Sequence, residues 1–395
     1  MKKFLFIILF FFLKQVNAQT WVTIPDANFV IYLQNTIPSA MRGDSLDINN
    51  ILVTSTTHTI NVTNRNIANL SGLQYFSSLD TLVCSQNHMS TLPALSNSLT
   101  YLDCNHNGLI NLPSLPNSLI YLDCGTNSLT SLPVLSNSLQ ILGCRGNNIT
   151  NLPALPNSLN YLDCSRNSLT SLPTLPNSLI HLDCNEQFNG SHYILSTLPA
   201  LPLSLKTLIC YWDSLISLPT LPDSLVYLNC FGNHLTNLPA LPDSLQSLYC
   251  NDNNITCFPV FPNSILSSFT NLYGQKDYHI KIYNNPFTCL PNYIAAMDST
   301  TLAYPLCGSS CSVVTTNINQ FLDINTIKIY PNPANNKITV DAKEVTGIKI
   351  FDVLGKEIIS TKEKEIDVSN FNDGVYFIQV QTKQNTSTQK IIIQH

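Results

Sequence analysis

The sequence predicts a mostly β chain: a solenoid of short coils with a parallel β-sheet on one side and extended, polyproline II return segments on the other, followed by a small antiparallel β-sandwich. Three observations carry this. Cys84, Cys104, Cys124, Cys144, Cys164 and Cys184 recur every 20 residues, and after a six-residue insertion the series resumes at Cys210, Cys230 and Cys250. Between cysteines run segments such as Leu152-Pro153-Ala154-Leu155-Pro156. These cannot be helical, because proline lacks an N–H and pushes its predecessor into extended geometry. From Ile327 onward the pattern changes to alternating runs divided by turn residues.

The chain opens on a secretory signal peptide, residues 1–18. Lys2 and Lys3 form its positive end, Phe4–Leu13 its apolar stretch, and Val16-Asn17-Ala18 a small-residue site for cleavage between Ala18 and Gln19. The apolar run is too short to span a bilayer. No cysteine follows the cleavage point, so nothing there invites a lipid anchor. Losing Lys2, Lys3 and Lys14 with this segment takes the formal charge from −5 to −8. Charged residues make up only 11% of the 395, against roughly a quarter in ordinary soluble domains. The surface must be neutral and polar, which argues against nucleic-acid binding and its clustered Lys and Arg.

Residues 19–58 form an N-terminal cap. Pro25-Asp26 before Phe29, Ile31 and Leu33 suits a short covering helix started by Asp26. The solenoid follows over 59–311. One unit reads Leu99-Thr-Tyr-Leu102-Asp-Cys104-Asn-His-Asn107-Gly-Leu109-Ile-Asn-Leu112-Pro113-Ser-Leu115-Pro116. Leu102 and Cys104 alternate with Tyr101, Asp103 and Asn105, which is a short strand with one buried face. One coil cannot bury that face alone, so successive coils must stack. Leu152 and Leu155 turn inward at the three-residue period of polyproline II. Asn107, Asn127, Asn147, Asn167, Asn233 and Asn253 stand three residues after the cysteine. An amide there can donate to and accept from the backbone of neighbouring coils. At about 4.8 Å per coil the nine cysteine-marked coils extend on the order of 40 Å.

The pattern L-x-x-L-x-C-x-x-N-x-L-x-x-L-P resembles the leucine-rich repeat, in the short bacterial class whose outer side is extended. Some bacterial proteins of that class are ubiquitin ligases, but they carry a separate catalytic domain with a cysteine nucleophile.

Both ends of the solenoid are expected to be capped. Ile60 and Val62 open a degenerate first coil, with Asn66 as a displaced analogue of the asparagine. Ile280, Ile282, Asn285, Phe287 and Leu290-Pro291 repeat the pattern without the cysteine. Cys257 and Cys289 hold equivalent places in the last two coils, so a Cys257–Cys289 disulfide is expected, with Cys307–Cys311 as a second. The nine periodic cysteines are expected to remain buried thiols. In-register strands aim their Cβ vectors the same way, which disfavours bridging. Zinc sites use short pairs such as C-x-x-C, which this chain lacks.

The outward strand positions form columns. Three residues before the cysteine stand Tyr101, Tyr121, Tyr161, His181 and Tyr227; immediately before it, Asp103, Asp123, Asp163 and Asp183. Asn105, Arg145, Ser165, Asn185, Tyr211, Phe231 and Asn251 follow it directly. Toward the last coils Tyr211, Trp212, Tyr227, Phe231 and Tyr249 make an aromatic cluster, and exposed aromatics point to contact with a ligand. Two readings of the tyrosine column stay open: recognition, or mutual support along the sheet. The aspartates could welcome a cation, yet calcium wants six to eight oxygens and no such loop is visible. A solvated acidic edge is the plainer reading.

Residues 312–326 read as a linker. Beyond them lie the runs Lys337–Val340, Gly347–Val353, Lys356–Ile359, Val375–Thr382 and Ser387–Ile393. Tyr330-Pro331-Asn332-Pro333-Ala334, Phe351-Asp352-Val353-Leu354-Gly355-Lys356, Ile366-Asp367-Val368-Ser369, Gly374-Val375-Tyr376-Phe377 and Lys390-Ile391-Ile392-Ile393-Gln394 together resemble the C-terminal sorting domain of the type IX secretion system of Bacteroidetes. The resemblance covers 327–395. It implies translocation across the outer membrane by that machinery, then release or attachment at the cell surface.

No catalytic constellation, metal-ligand set or cofactor motif stands out; the eight histidines are scattered. The sequence thus points to an exported, non-enzymatic protein that holds a protein, peptide or glycan on its sheet face. The alternative is a structural spacer in a surface layer.

Overall fold

The structure, a computed structural model, describes residues 20–267, 269–270, 276–307, 328–342, 345–352, 356–382 and 386–395. The expected signal peptide with its Ala18–Gln19 junction, the 312–326 linker and Cys311 lie outside these residues. The chain divides into two units, Met1–Val313 and Val314–His395.

In the first unit an 11-stranded sheet runs from Thr59–Asn61 at one edge to Ile280–Lys281 at the other, its strands ordered along the chain. Most strands are three residues long, as in Tyr101–Asp103, with the middle leucine buried and its neighbours half-buried. All pair parallel and in register, so Leu102 lies beside Leu122 and Asp103 beside Asp123. Each short strand has too little apolar surface to stand alone; stacking merges the inward leucines into one continuous core. Every periodic cysteine is fully buried and free. Burial pushes the Cys230 thiol up to about 12 and its fellows in the same direction. These sulfurs act as small apolar groups, not nucleophiles.

Two hydrogen-bond ladders fix the turns. Asn107 Nδ2 donates to the carbonyls of Cys84 and Cys104, both at 3.1 Å, while its Oδ1 accepts from Met89 N at 3.1 Å. Asn127, Asn147, Asn167, Asn233 and Asn253 do the same, and Asn87 and Asn285 extend the ladder at either end. On the return side Ser118, Ser158, Ser178, Ser224, Ser244 and Ser264 each donate a hydroxyl to the leucine carbonyl of the preceding coil. No helix forms along the proline-rich returns.

Asn66 is not the displaced asparagine of the first coil. Ile60 pairs with Leu82, which sets Val62 opposite Cys84 and Arg65 opposite Asn87. Asn66 is exposed and left-handed, φ 54°, and its carbonyl accepts from Asn28 Nδ2. The helix expected from Asp26 spans Ala27–Thr36. Asp26 Oδ1 accepts from Asn28 N and Phe29 N, each at 3.0 Å, and Oδ2 from Ala68 N at 2.8 Å. One carboxylate therefore caps the helix and fastens it to the first coil. Phe29 and Leu33 close the core beneath it.

At the other end the expected Cys257–Cys289 disulfide is not formed. Cys289 bonds to Cys307, with Cα atoms 4.9 Å apart, so Cys307–Cys311 is excluded too; Cys257 is itself disulfide-bonded. The reason is a fold-back. After the turn Thr301–Ala303, Leu306 pairs parallel with Leu290 and Cys307 N donates to Leu290 O at 2.7 Å. This extra rung, outside the repeat, puts Cys307 beside Cys289.

The second unit is two antiparallel sheets. One orders Lys328–Tyr330, Lys337–Asp341 and Glu365–Asp367; the other orders Glu357–Thr361, Val345–Phe351, Gly374–Thr382 and Thr386–Ile393. Ile338, Val340, Ile348, Ile350, Ile378 and Ile391 fill the space between them.

Candidate functional site

The sheet face carries the columns. Tyr101 and Tyr121 stack with ring centroids 4.1 Å apart, and Tyr161 and His181 stack at 4.4 Å. Ile141 breaks the column between these pairs. Burial pushes His181 down, which keeps its imidazole neutral near pH 7. Gly143 interrupts the acidic column at the same coil. The result is a cleft of about 390 Å³ floored by Ile141 and Gly143, walled by Tyr121 and Tyr161, and edged by Asp123, Asp163 and Arg145.

The aspartates also shape the turns. Asp123 Oδ1 accepts from Gly125 N at 2.9 Å, and Asp163 Oδ1 from Ser165 N at 3.0 Å. Asp103 and Asp183 accept likewise from the amides of Asn105 and Asn185. Each carboxylate turns the chain out of its strand. In-register stacking then sets Asp163 beside Asp183. Burial first, and the Asp163 charge second, push Asp183 up to about 7; burial and the neighbouring Asp123 charge raise Asp103. In the column that follows the cysteine, Ser165, Asn185 and Asn251 are buried, so they add nothing to the face.

The expected aromatic cluster forms as two groups. Tyr211 stacks on Phe231 at 4.9 Å, and Trp212 meets Phe231 edge-on at 5.4 Å. Trp212 sits in the left-handed region at φ 48° and is 43% exposed. It fits because residue 232 is glycine: a Cβ there would lie 2.2 Å from the indole Cδ1. Tyr227 and Tyr249 pair separately at 5.6 Å, beside a cleft of about 340 Å³ that includes Lys281 and Tyr283. Lys281 Nζ stands 5.4 Å from the Tyr249 ring centroid.

Sequence reasoning missed Phe188 and Tyr193. The six-residue insertion forms a small hairpin in which these two pair antiparallel, their rings 5.5 Å apart, and Tyr193 reaches Trp212 at 6.4 Å. The break in period marked the place; two aromatics within it were the available signal. Lys281 and Tyr283 were missed because their coil has no cysteine to register them. Among the described residues no helix is long and apolar enough to cross a membrane.

Residues 328–394 match the family model described as a secretion system C-terminal sorting domain. A domain of this kind carries a chain to secretion and the cell surface. Among solved structures, YopM from Yersinia enterocolitica WA-314 is 34% identical with a TM-score of 0.50, over 55% of this chain and 45% of that one. The chain thus spans less than half of it. YopM of Yersinia pestis, a leucine-rich effector, is 30% identical over 61% of this chain and 70% of that one, with a TM-score of 0.49. The functional domain of InlJ from Listeria monocytogenes, described as including a cysteine ladder, is 17% identical over 95% and 99% of the two chains, with a TM-score of 0.43. No curated protein sequence matches the chain.

Proposed function

From a chain that is a leucine-rich-repeat protein ending in a secretion-system C-terminal sorting domain, we propose that it is a non-enzymatic binding protein of the cell surface, and that its sheet face holds an extracellular protein partner. The observation that carries this reading is the division of the face. Its first half presents Asp103, Asp123, Asp163 and Asp183 among stacked rings; its second presents Tyr211, Trp212, Phe231, Tyr227 and Tyr249. Aromatic anchors give large contact area with few torsions to freeze, and the acidic half steers a basic partner. The partner on this reading is a polypeptide with basic side chains at one end of its contact and apolar ones at the other.

A spacer role is the second reading, favoured by one observation: the aspartates already serve turns and the tyrosines already support one another. Selection of displayed peptides against the full chain separates the two. Binding should be lost on joint Trp212→Ala and Phe231→Ala replacement and weaken with salt. Selection of no peptide, or of peptides that bind the double variant equally well, would leave the spacer.

A further inference from the structure

The inserted hairpin builds a second recess at the rim of the sheet, apart from the columns. It has about 430 Å³ and is lined by Asn148, Arg166, Ser168, Glu186, Phe188 and Tyr193 among others. A recess of this size is in the range of small-ligand sites. One wall is aromatic: Phe188, 43% exposed, with Tyr193 beside it. The rest is polar. Arg166 and Glu186 pair at 3.0 Å, which neutralises the recess. The Ser168 hydroxyl donates to the Phe188 carbonyl at 2.8 Å and ties the hairpin to the coil before it. The backbone N–H of Asn148 donates to Leu129 O at 2.8 Å, which leaves its side-chain amide, without a hydrogen bond among the described residues, lining the same space.

The ligand that fits must therefore be uncharged, small in cross-section, apolar on one face and rich in hydrogen-bonding groups around its edge. A pyranose ring has that chemistry. Its axial C–H bonds, polarised by neighbouring oxygens, meet the negative face of an aromatic ring, and its hydroxyls meet planar amide, guanidinium and carboxylate groups. We infer that the recess under the Phe188–Tyr193 hairpin binds a neutral sugar unit of an oligosaccharide. The hairpin is closed by its own hydrogen bonds. Asn189 Oδ1 accepts from Ser191 N and His192 N, each at 3.0 Å, and Gly190 takes the left-handed turn at φ 92°.

The test uses the full chain and an array of neutral hexose and N-acetylhexosamine oligosaccharides, printed both as free glycans and on a protein carrier, with sulfated and sialylated counterparts alongside. At least one neutral glycan should bind in both formats. Its affinity should fall at least tenfold with Phe188→Ala and with Asn148→Ala; both side chains are exposed, so neither truncation disturbs the core. Binding should shift tryptophan emission through the Tyr193–Trp212 contact. Tyr101→Ala, on the sheet face, should leave glycan affinity unchanged, so failure of the sheet-face reading and failure of this one are distinguishable. Absence of any neutral glycan ligand, binding confined to the anionic set or to the carrier protein, or indifference to both variants would each overturn the assignment.

Discussion

Asp213 accepts the backbone amide of Gln187 at 2.9 Å from the ladder position that asparagine holds in most other coils, and its second oxygen, Oδ2, is buried without a partner. The coil with the insertion needed both changes: Gln187 reaches Cys164 O and Cys184 O with its longer amide, and Asp213 fills the next place. A carboxylate cannot donate to the cysteine carbonyls as Asn233 does. Burial pushes Asp213 up to about 9, so near neutral pH it is protonated and can donate.

This relationship fixes a pH dependence. Asp213 and Asp183 both titrate higher in the folded chain than the ordinary carboxylate near 4. The folded state then binds more protons than the unfolded one, so stability is full at about pH 4 and falls as pH rises through 7 and 9. Urea titrations should show a lower midpoint at pH 9 than at pH 5. Asp213→Asn should raise the midpoint at pH 9, by about 1–3 kcal/mol of restored hydrogen bonding, and flatten the profile. An unchanged profile would contradict the assignment.

The cysteine ladder should tolerate only apolar replacement. Cys144→Ser buries a hydroxyl among leucines and should cost about 1–3 kcal/mol, more than Cys144→Ala. Native chain treated with a thiol reagent should leave the nine ladder cysteines unlabelled until it unfolds. Rapid labelling of any of them at neutral pH would count against burial.

Gly232 holds the indole of Trp212 in place. Gly232→Ala brings a Cβ into the ring and a side chain into the left-handed region, at φ 66°. The variant should lose on the order of 1–2 kcal/mol and shift Trp212 emission toward the red as the ring is displaced.

Opening the terminal staple should act locally. Cys307→Ser removes a bridge spanning 18 residues, worth about 2–4 kcal/mol by loop entropy. Hydrogen exchange should rise around Leu290 and Leu306 before it rises in the coil of Cys144.

The periodic parts of this molecule were readable because each coil restates the same constraint. Cys104 and Leu102 are inward in one coil, so their counterparts are inward in all, and Asn107 names its own hydrogen bonds. Legibility ended where repetition ended. Arg65 and Asn66 could not be placed without knowing that Val62 stands opposite Cys84. The Cys289–Cys307 bond depends on a return through Thr301–Ala303 that no other coil contains. Phe188 and Tyr193 lay in an insertion whose hairpin geometry has no precedent in the period. The sheet face was legible as columns, but not the burial of Ser165 and Asn185 beneath it.

The proposed contact surface is tested most directly by hydroxyl-radical footprinting of the chain on intact cells against the purified chain. Tyr211, Trp212, Phe231 and Tyr249 should be protected on cells, while Val134 and Leu203 on the return side, 86% and 84% exposed, should be modified equally in both. Equal modification of the aromatic face in the two samples would contradict that surface.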